Sequence, residues 1–248
     1  MNYDPYKKHA VKQRRIAVCL SGYARQFQEC LPSFLKHLVK NQEVDVFIHS
    51  WDMQDYYLRT AEPQKLDQDA YISSFNPKSY LIEERPTFPL SAAMLHCIRE
   101  PRDCEGMMSM FYSIFKANQL KRIYEETNNF TYDVVIRTRP DVLYKSDLDI
   151  PLNMKKEKIY IPVFGDFGGL NDQIAFGSSQ VINKYCDTFN RVEELLNYKA
   201  WMNPEVLNRT NLEVLRISVN RINLDYSLMR NDGSLQNNFE RQFGKRIR

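Results

Sequence analysis

Three short apolar runs stand out along the chain, each closed by a polar turn. Ile16-Ala17-Val18-Cys19-Leu20 ends in Ser21-Gly22, Val44-Asp45-Val46-Phe47-Ile48-His49 ends in Ser50-Trp51-Asp52, and Asp133-Val134-Val135-Ile136-Arg137 ends in Thr138-Arg139-Pro140. Runs this short and this apolar read as buried strands. Between the first two, Leu31, Phe34, Leu35 and Leu38 fall at helical spacing, and Pro32 is acceptable in a first turn. Strand, helix and strand in that order form a βαβ unit and predict a parallel pair.

The pattern continues with a third strand at Lys78–Glu83, a loop or weak helix over Met53–Gln68, and an irregular, proline-bearing stretch from Glu84 to Asp103. Met110, Ile114, Ala117, Leu120 and Tyr124 form the stripe of a long helix, about Met107–Glu126, after Gly106. Ile159-Tyr160-Ile161 and Ile174-Ala175-Phe176 flank a glycine-rich loop. A helix is expected from Gln180 to Tyr198, capped by Ser178 or Ser179, and another from Asn203-Pro204-Glu205 to about Arg216. Ile217–Leu228 reads as one or two short strands. No internal repeat and no Ser/Gly linker divides the chain. The expectation is a single α/β domain over 15–235, with a mostly parallel sheet and helices on both faces.

Composition narrows the class. With 248 residues, 43% apolar and 26% charged, the chain can bury a core without staples and is not disordered in bulk. No run approaches the ~18 apolar residues of a membrane span, and the N-terminus lacks a secretory h-region. Five cysteines, an odd number with no CxxC pair, favour a reducing compartment, so a cytoplasmic location is expected. The four histidines show no zinc spacing. The net charge of +3 is uneven: residues 1–14 and 236–248 are basic tails on a mildly acidic body. That is not the basic body of a nucleic-acid binder, although the tails allow peripheral contact with a membrane surface.

Three stretches carry candidate chemistry. First, Arg137-Thr138-Arg139-Pro140-Asp141 follows a buried strand. Side chains at the carboxyl end of such a strand reach the crevice where open α/β sheets bind ligands. Arginine forks suit phosphate oxygens, and a carboxylate there can hold Mn²⁺ or Mg²⁺; the plain alternative is a surface ion pair. Second, four of the chain's eight glycines fall between Gly165 and Gly177, around Asn171-Asp172-Gln173. Such clustering implies special backbone angles or close ligand approach, and an aspartate there can act as a general base. The alternative is a long turn with Asx-type self-bonding. Third, Ser21-Gly22-Tyr23-Ala24-Arg25 offers backbone N–H groups and an arginine at the first crossover, or a plain βα turn. There is no GxGxxG, no GxxxxGK[ST] and no GxSxG. Asp147-Leu148-Asp149 lies on no evident strand and reads as a loop coincidence.

Taken in order over Arg15–Arg230, the segments Ile16–Gly22 with Arg25, Asp45–Trp51, Tyr132–Asp141 and Asn171–Gly177 resemble a GT-A-type glycosyltransferase family, of the kind found in surface-polysaccharide gene clusters of bacteria and some large viruses. The resemblance implies a nucleotide-sugar donor across the sheet's carboxyl edge and a glycan or other hydroxyl acceptor. It assigns donor binding to Ser21, Gly22, Arg25, Arg137, Arg139 and Asp141. The metal-binding Asp-x-Asp of such enzymes falls here on Arg139-Pro140-Asp141, with the first acid replaced by a cation. Two readings follow: Arg139 offsets the diphosphate charge in place of a metal, or Asp141 alone holds Mn²⁺ or Mg²⁺. Asp172 is the expected base. Asn171, Gln173 and Glu205 are expected on the acceptor side, with Trp51 stacking on an acceptor sugar or serving as a core residue. The rivals are a non-catalytic nucleotide-sugar- or carbohydrate-binding module and another nucleotide-dependent transferase, such as a nucleotidyl- or sulfotransferase.

Overall fold

The computed structural model of the protein describes residues 14–40, 42–55, 64–96, 101–198 and 200–237. Both basic tails fall almost entirely outside these residues, as does Cys97. The expected buried runs are the central strands: β1 (Ile16–Ser21), β2 (Val44–Trp51) and β4 (Val134–Thr138). β3 (Ser79–Glu83) lies at one edge and is only half buried. With β6 (Lys158–Pro162), β7 (Ala175–Gly177) and β8 (Ser218–Ile222) they form a seven-stranded sheet in the order β3-β2-β1-β4-β7-β6-β8. β1 runs parallel to both β2 and β4, in the registers Ser21↔His49 and Cys19↔Arg137. Only β7 runs against its neighbours. The chain is thus a single α/β domain on a mostly parallel sheet. A second, antiparallel sheet of β5 (Val142–Tyr144), β9 (Tyr226–Met229) and β10 (Leu235–Gln236) stands beside it.

Alternation along β1 divides the core. Ala17 and Cys19 face α4 (Pro101–Thr127), α5 (Ser179–Cys186), α6 (Thr188–Asn197) and α7 (Pro204–Val214). Ile16, Val18 and Leu20 face α1 (Phe27–Phe34), α2 (Gln68–Phe75) and the small sheet. Helices therefore cover both faces, with a short α3 (Ala92–His96) packed against α4 and α6.

Four local expectations need correction. The helix expected at 180–198 is two, α5 and α6, parted at Asp187. α4 starts at Pro101, so Gly106 lies inside it rather than before it. α1 ends in a π-helical turn over Leu35–Val39. The stretch expected to be irregular over 84–103 holds α3 and the start of α4. The stretch expected as a loop or weak helix over 53–68 is non-helical in its described residues up to Asp67, the N-cap of α2, which accepts from the Ala70 amide at 3.0 Å; residues 56–63 lie outside the described residues.

A strand order that runs outward from β1 through β2 to β3, then returns to β4, reverses direction between β1 and β4. At such a switch point the flanking connections leave on opposite faces and open a crevice above the carboxyl ends. Because β7 is antiparallel, its first residue, Ala175, pairs with Arg137 at that same edge. Asn171-Asp172-Gln173 is thereby delivered beside the carboxyl end of β4.

Candidate functional site

A cavity of about 260 Å³ occupies the switch point, just under the ~300–1,000 Å³ usual for small-molecule sites. Ser21, Gly22, Tyr23 and Arg25 line it from the end of β1, and Trp51 from β2. Arg137 and Arg139 contribute from β4, Gly106, Ser109 and Met110 from α4, and Arg85 and Arg230 from two loops. Among the described residues, five arginines and no acidic side chain face this space.

Their carboxylate partners stand behind them. Asp141 is fully buried and forms a bidentate pair with Arg139, Nε to Oδ1 at 2.7 Å and Nη2 to Oδ2 at 2.6 Å. Arg25 Nη1 reaches the same Oδ2 at 3.3 Å, and its Nη2 bonds Asp55 at 2.8 Å. Burial alone would raise the Asp141 pKa. The charge and hydrogen bonds of Arg139, with Arg25 and Arg230 nearby, outweigh it and hold the carboxyl below its ordinary value.

Arg137 differs from its neighbours. It is 1% exposed and forms no ion pair among the described residues. One guanidinium nitrogen donates to the Asp172 carbonyl, and Nε has no partner. Ser21 Oγ and Arg25 Nε are likewise buried and unpartnered. A buried guanidinium without a counter-charge is costly, so this wall suits an anion with several oxygen acceptors.

The arrangement does not suit a divalent cation. Both Asp141 oxygens are engaged by arginines, and an ion beside them would sit among guanidinium groups. Among the described residues, no cluster of three His, Cys, Asp or Glu side chains has the makings of a metal site.

Gly22 is required by its backbone, at φ +105°. Its N–H points inward, donating to Ser113 Oγ at 2.7 Å and His49 O at 3.2 Å, so it is already committed. Ser113 in α4 also meets His49 Nδ1 at 2.8 Å, and His49 Nε2 meets Glu83 at 3.0 Å. Glu83, His49, Ser113 and Gly22 thus form a chain that fixes the β1 turn. Burial lowers the His49 pKa to about 4 despite the Glu83 carboxylate beside it, so the imidazole is neutral near pH 7.

The second loop joins the site from the β7 side. Asp172 is 6% exposed, and its Oδ1 is buried without a hydrogen-bond partner. It lies near enough to Arg139 for its charge to be felt there. Asn171 has a different job from the expected acceptor contact. Its Nδ2 donates to Phe164 O at 2.6 Å and Tyr226 Oη at 2.7 Å, and its Oδ1 accepts from the amides of Gln173 and Ile174. That exhausts its capacity: it is the Asx hinge of the loop. Gln173 Oε1 accepts from Tyr226 at 3.1 Å. Glu205 opens α7, and its carbonyl accepts from Leu170 at 2.9 Å. Trp51 lines the cavity but is 1% exposed and stacks on Tyr112, centroids 5.9 Å apart, as part of an aromatic cluster.

Arg85, Arg230 and Asp55 were not foreseen. No local pattern marks them; they arrive from distant loops. Asp147 and Asp149 pair with His37 and Lys40 at 2.7–3.0 Å on the surface, as expected of a loop coincidence. No helix among the described residues is long and apolar enough to cross a membrane.

No curated protein matches the chain. Residues 11–234 match the family described as Domain of unknown function (DUF7796), and the chain belongs to that family.

Proposed function

We propose that the protein is a glycosyltransferase of GT-A-like architecture that moves a sugar from a nucleoside-diphosphate sugar to a hydroxyl acceptor. The observation that carries this reading is the arginine-lined cavity at the β1/β4 switch point. Nucleotides bind at such points in open α/β sheets, and guanidinium forks match the geometry of phosphate oxygens. In the proposed reaction the leaving group is the nucleoside diphosphate. Arg25, Arg137 and Arg139 offset the charge that grows on it as the glycosidic bond breaks.

Asp172 is the proposed base for the acceptor hydroxyl. Its uncommitted Oδ1 at the same edge supports the assignment, and favours turnover over a module that only binds. Arg137 would hold the Asp172 backbone in place through the carbonyl contact. Gln173 and Glu205 are the proposed acceptor-side residues, and a cytoplasmic site of action accords with the buried free thiols Cys19, Cys30, Cys104 and Cys186.

The test is incubation with a panel of nucleoside-diphosphate sugars, following release of the nucleoside diphosphate with and without added glycan acceptors. Release from at least one donor, stimulated by an acceptor, is expected. Tight binding of a donor with no release under any condition would favour the binding module. Sulfate or nucleotidyl transfer without sugar transfer would favour the other transferases.

A further inference from the structure

Asp141 and the arginines around it divide into two layers. Arg25 and Arg139 line the cavity; Asp141 does not, and it is fully buried behind them. Arg139 uses two nitrogens on Asp141 and Arg25 uses one. To ligate a cation, Asp141 would have to leave a bidentate pair of 2.6–2.7 Å and expose an oxygen through the guanidinium layer. Removing that carboxylate would strip Arg139 of its bidentate partner and leave Arg25 tied to Asp55 alone, with two guanidinium groups side by side. Arg137 sits next to them, buried, with Nε unpartnered and no carboxylate in ion-pair range among the described residues. The cavity wall therefore carries a cationic surplus before any ligand arrives.

We infer that this cavity holds a diphosphate directly on guanidinium groups, with no bridging divalent ion, and that Asp141 is a positioning residue that aims Arg25 and Arg139 at it. The inference rests on the reading above for the identity of the substrate, a nucleoside diphosphate sugar. It goes beyond that reading in saying how the phosphates are bound and in removing Asp141 from contact with them. Metal-bridged binding would need a carboxylate facing the phosphates. The lining supplies arginines there instead, and a bidentate fork on each phosphate oxygen pair gives direction as well as charge.

The experiment is calorimetric titration of the full-length protein with inorganic pyrophosphate, UDP, GDP and the matching nucleosides. Each is run in EDTA and again with Mn²⁺, and the melting temperature is read on the same samples. Binding of pyrophosphate or a nucleoside diphosphate in EDTA is expected, within about threefold of the affinity with Mn²⁺. Asp141→Asn keeps the size but cannot balance two guanidinium charges. It is expected to weaken pyrophosphate and nucleoside-diphosphate binding at least tenfold, to leave nucleoside binding unchanged, and not to be rescued by Mn²⁺. A purely structural role would weaken nucleoside and diphosphate alike. Should Asp141→Asn fail to fold, Arg137→Met supplies the variant arm, with the same split expected between diphosphate and nucleoside, and the wild-type comparison in EDTA needs no variant. Binding lost in EDTA and restored by Mn²⁺ overturns the inference but leaves the glycosyltransferase reading standing. No binding of pyrophosphate or either nucleotide under any condition overturns both.

Discussion

Arg139 and Asp172 lie within reach of each other's charge, yet the chemistry assigned to them differs, and substitutions can separate them. Arg139→Ala removes a cavity-facing cation. It should weaken nucleoside-diphosphate binding by ~1.5–3 kcal/mol, the loss typical of a hydrogen bond to a charged group, and nucleoside binding much less; titration with both ligands checks this, and an equal loss in both would point to damaged folding. Asp172→Asn keeps size and packing but cannot take a proton. With an identified acceptor, turnover should fall ~10²–10⁴-fold while donor affinity stays close to wild type. Near-normal turnover would transfer the role to Glu205 or to a retaining mechanism. Gly169 is a site of steric need rather than chemistry: a Cβ there would stand 2.0 Å from the Glu205 carbonyl carbon and oxygen. Gly169→Ala should cost ~1–3 kcal/mol by overpacking, seen as a drop of several degrees in melting temperature. Arg139 and Asp141 were legible because they follow an apolar strand, and Asp172 because it lies in a glycine cluster just before one. Their partners were not: Arg25 meets Asp141 across 116 residues of sequence, and no local pattern encodes such a contact.

Among the elements, the strands were more legible than the helices. β1, β2 and β4 are buried along almost their whole length, so burial itself writes an unbroken apolar run. α2 stayed hidden because its helix rests on Asp67 capping and on Tyr71 and Phe75 alone, too few apolar positions to set a period. The break at Asp187 was invisible because α5 and α6 share one continuous apolar stripe. The end of β2 carries a pH dependence of stability. His49 has an ordinary pKa of 6.5 and about 4 when folded, because burial disfavours the imidazolium. The unfolded chain therefore binds more protons between these values, and stability is lost as pH falls from about 6.5 towards 4. The pKa gap corresponds to roughly 3 kcal/mol at most. Urea unfolding across that range should show the decline, and His49→Gln should flatten it; a wild-type stability that holds level to pH 4 would contradict the burial argument. Because Ser113 links His49 to the Gly22 amide, the same variant should also loosen the turn at the end of β1.

For the whole molecule, the topology explains why residues from four distant segments converge. The parallel order β3-β2-β1-β4 opens a crevice beside Ser21 and Arg139, and β7, the antiparallel strand of the large sheet, brings Asp172 to the same edge from the other direction. The parallel βαβ start and β4 as a buried strand could be read from the sequence; the place of β4 beside β1 could not. The insertion of β7 between β4 and β6 could not, because a three-residue strand carries no periodicity. We propose that this crevice is where a nucleoside diphosphate is bound. This is tested most directly by a crystal structure of the protein soaked with UDP- or GDP-sugars, with and without Mn²⁺. Both phosphates are expected in the cavity between Arg25, Arg137 and Arg139, with the sugar directed towards Asp172 and no metal peak on Asp141. Phosphates bound elsewhere on the molecule, or a metal ion seated on Asp141 with Arg139 turned away, would contradict it.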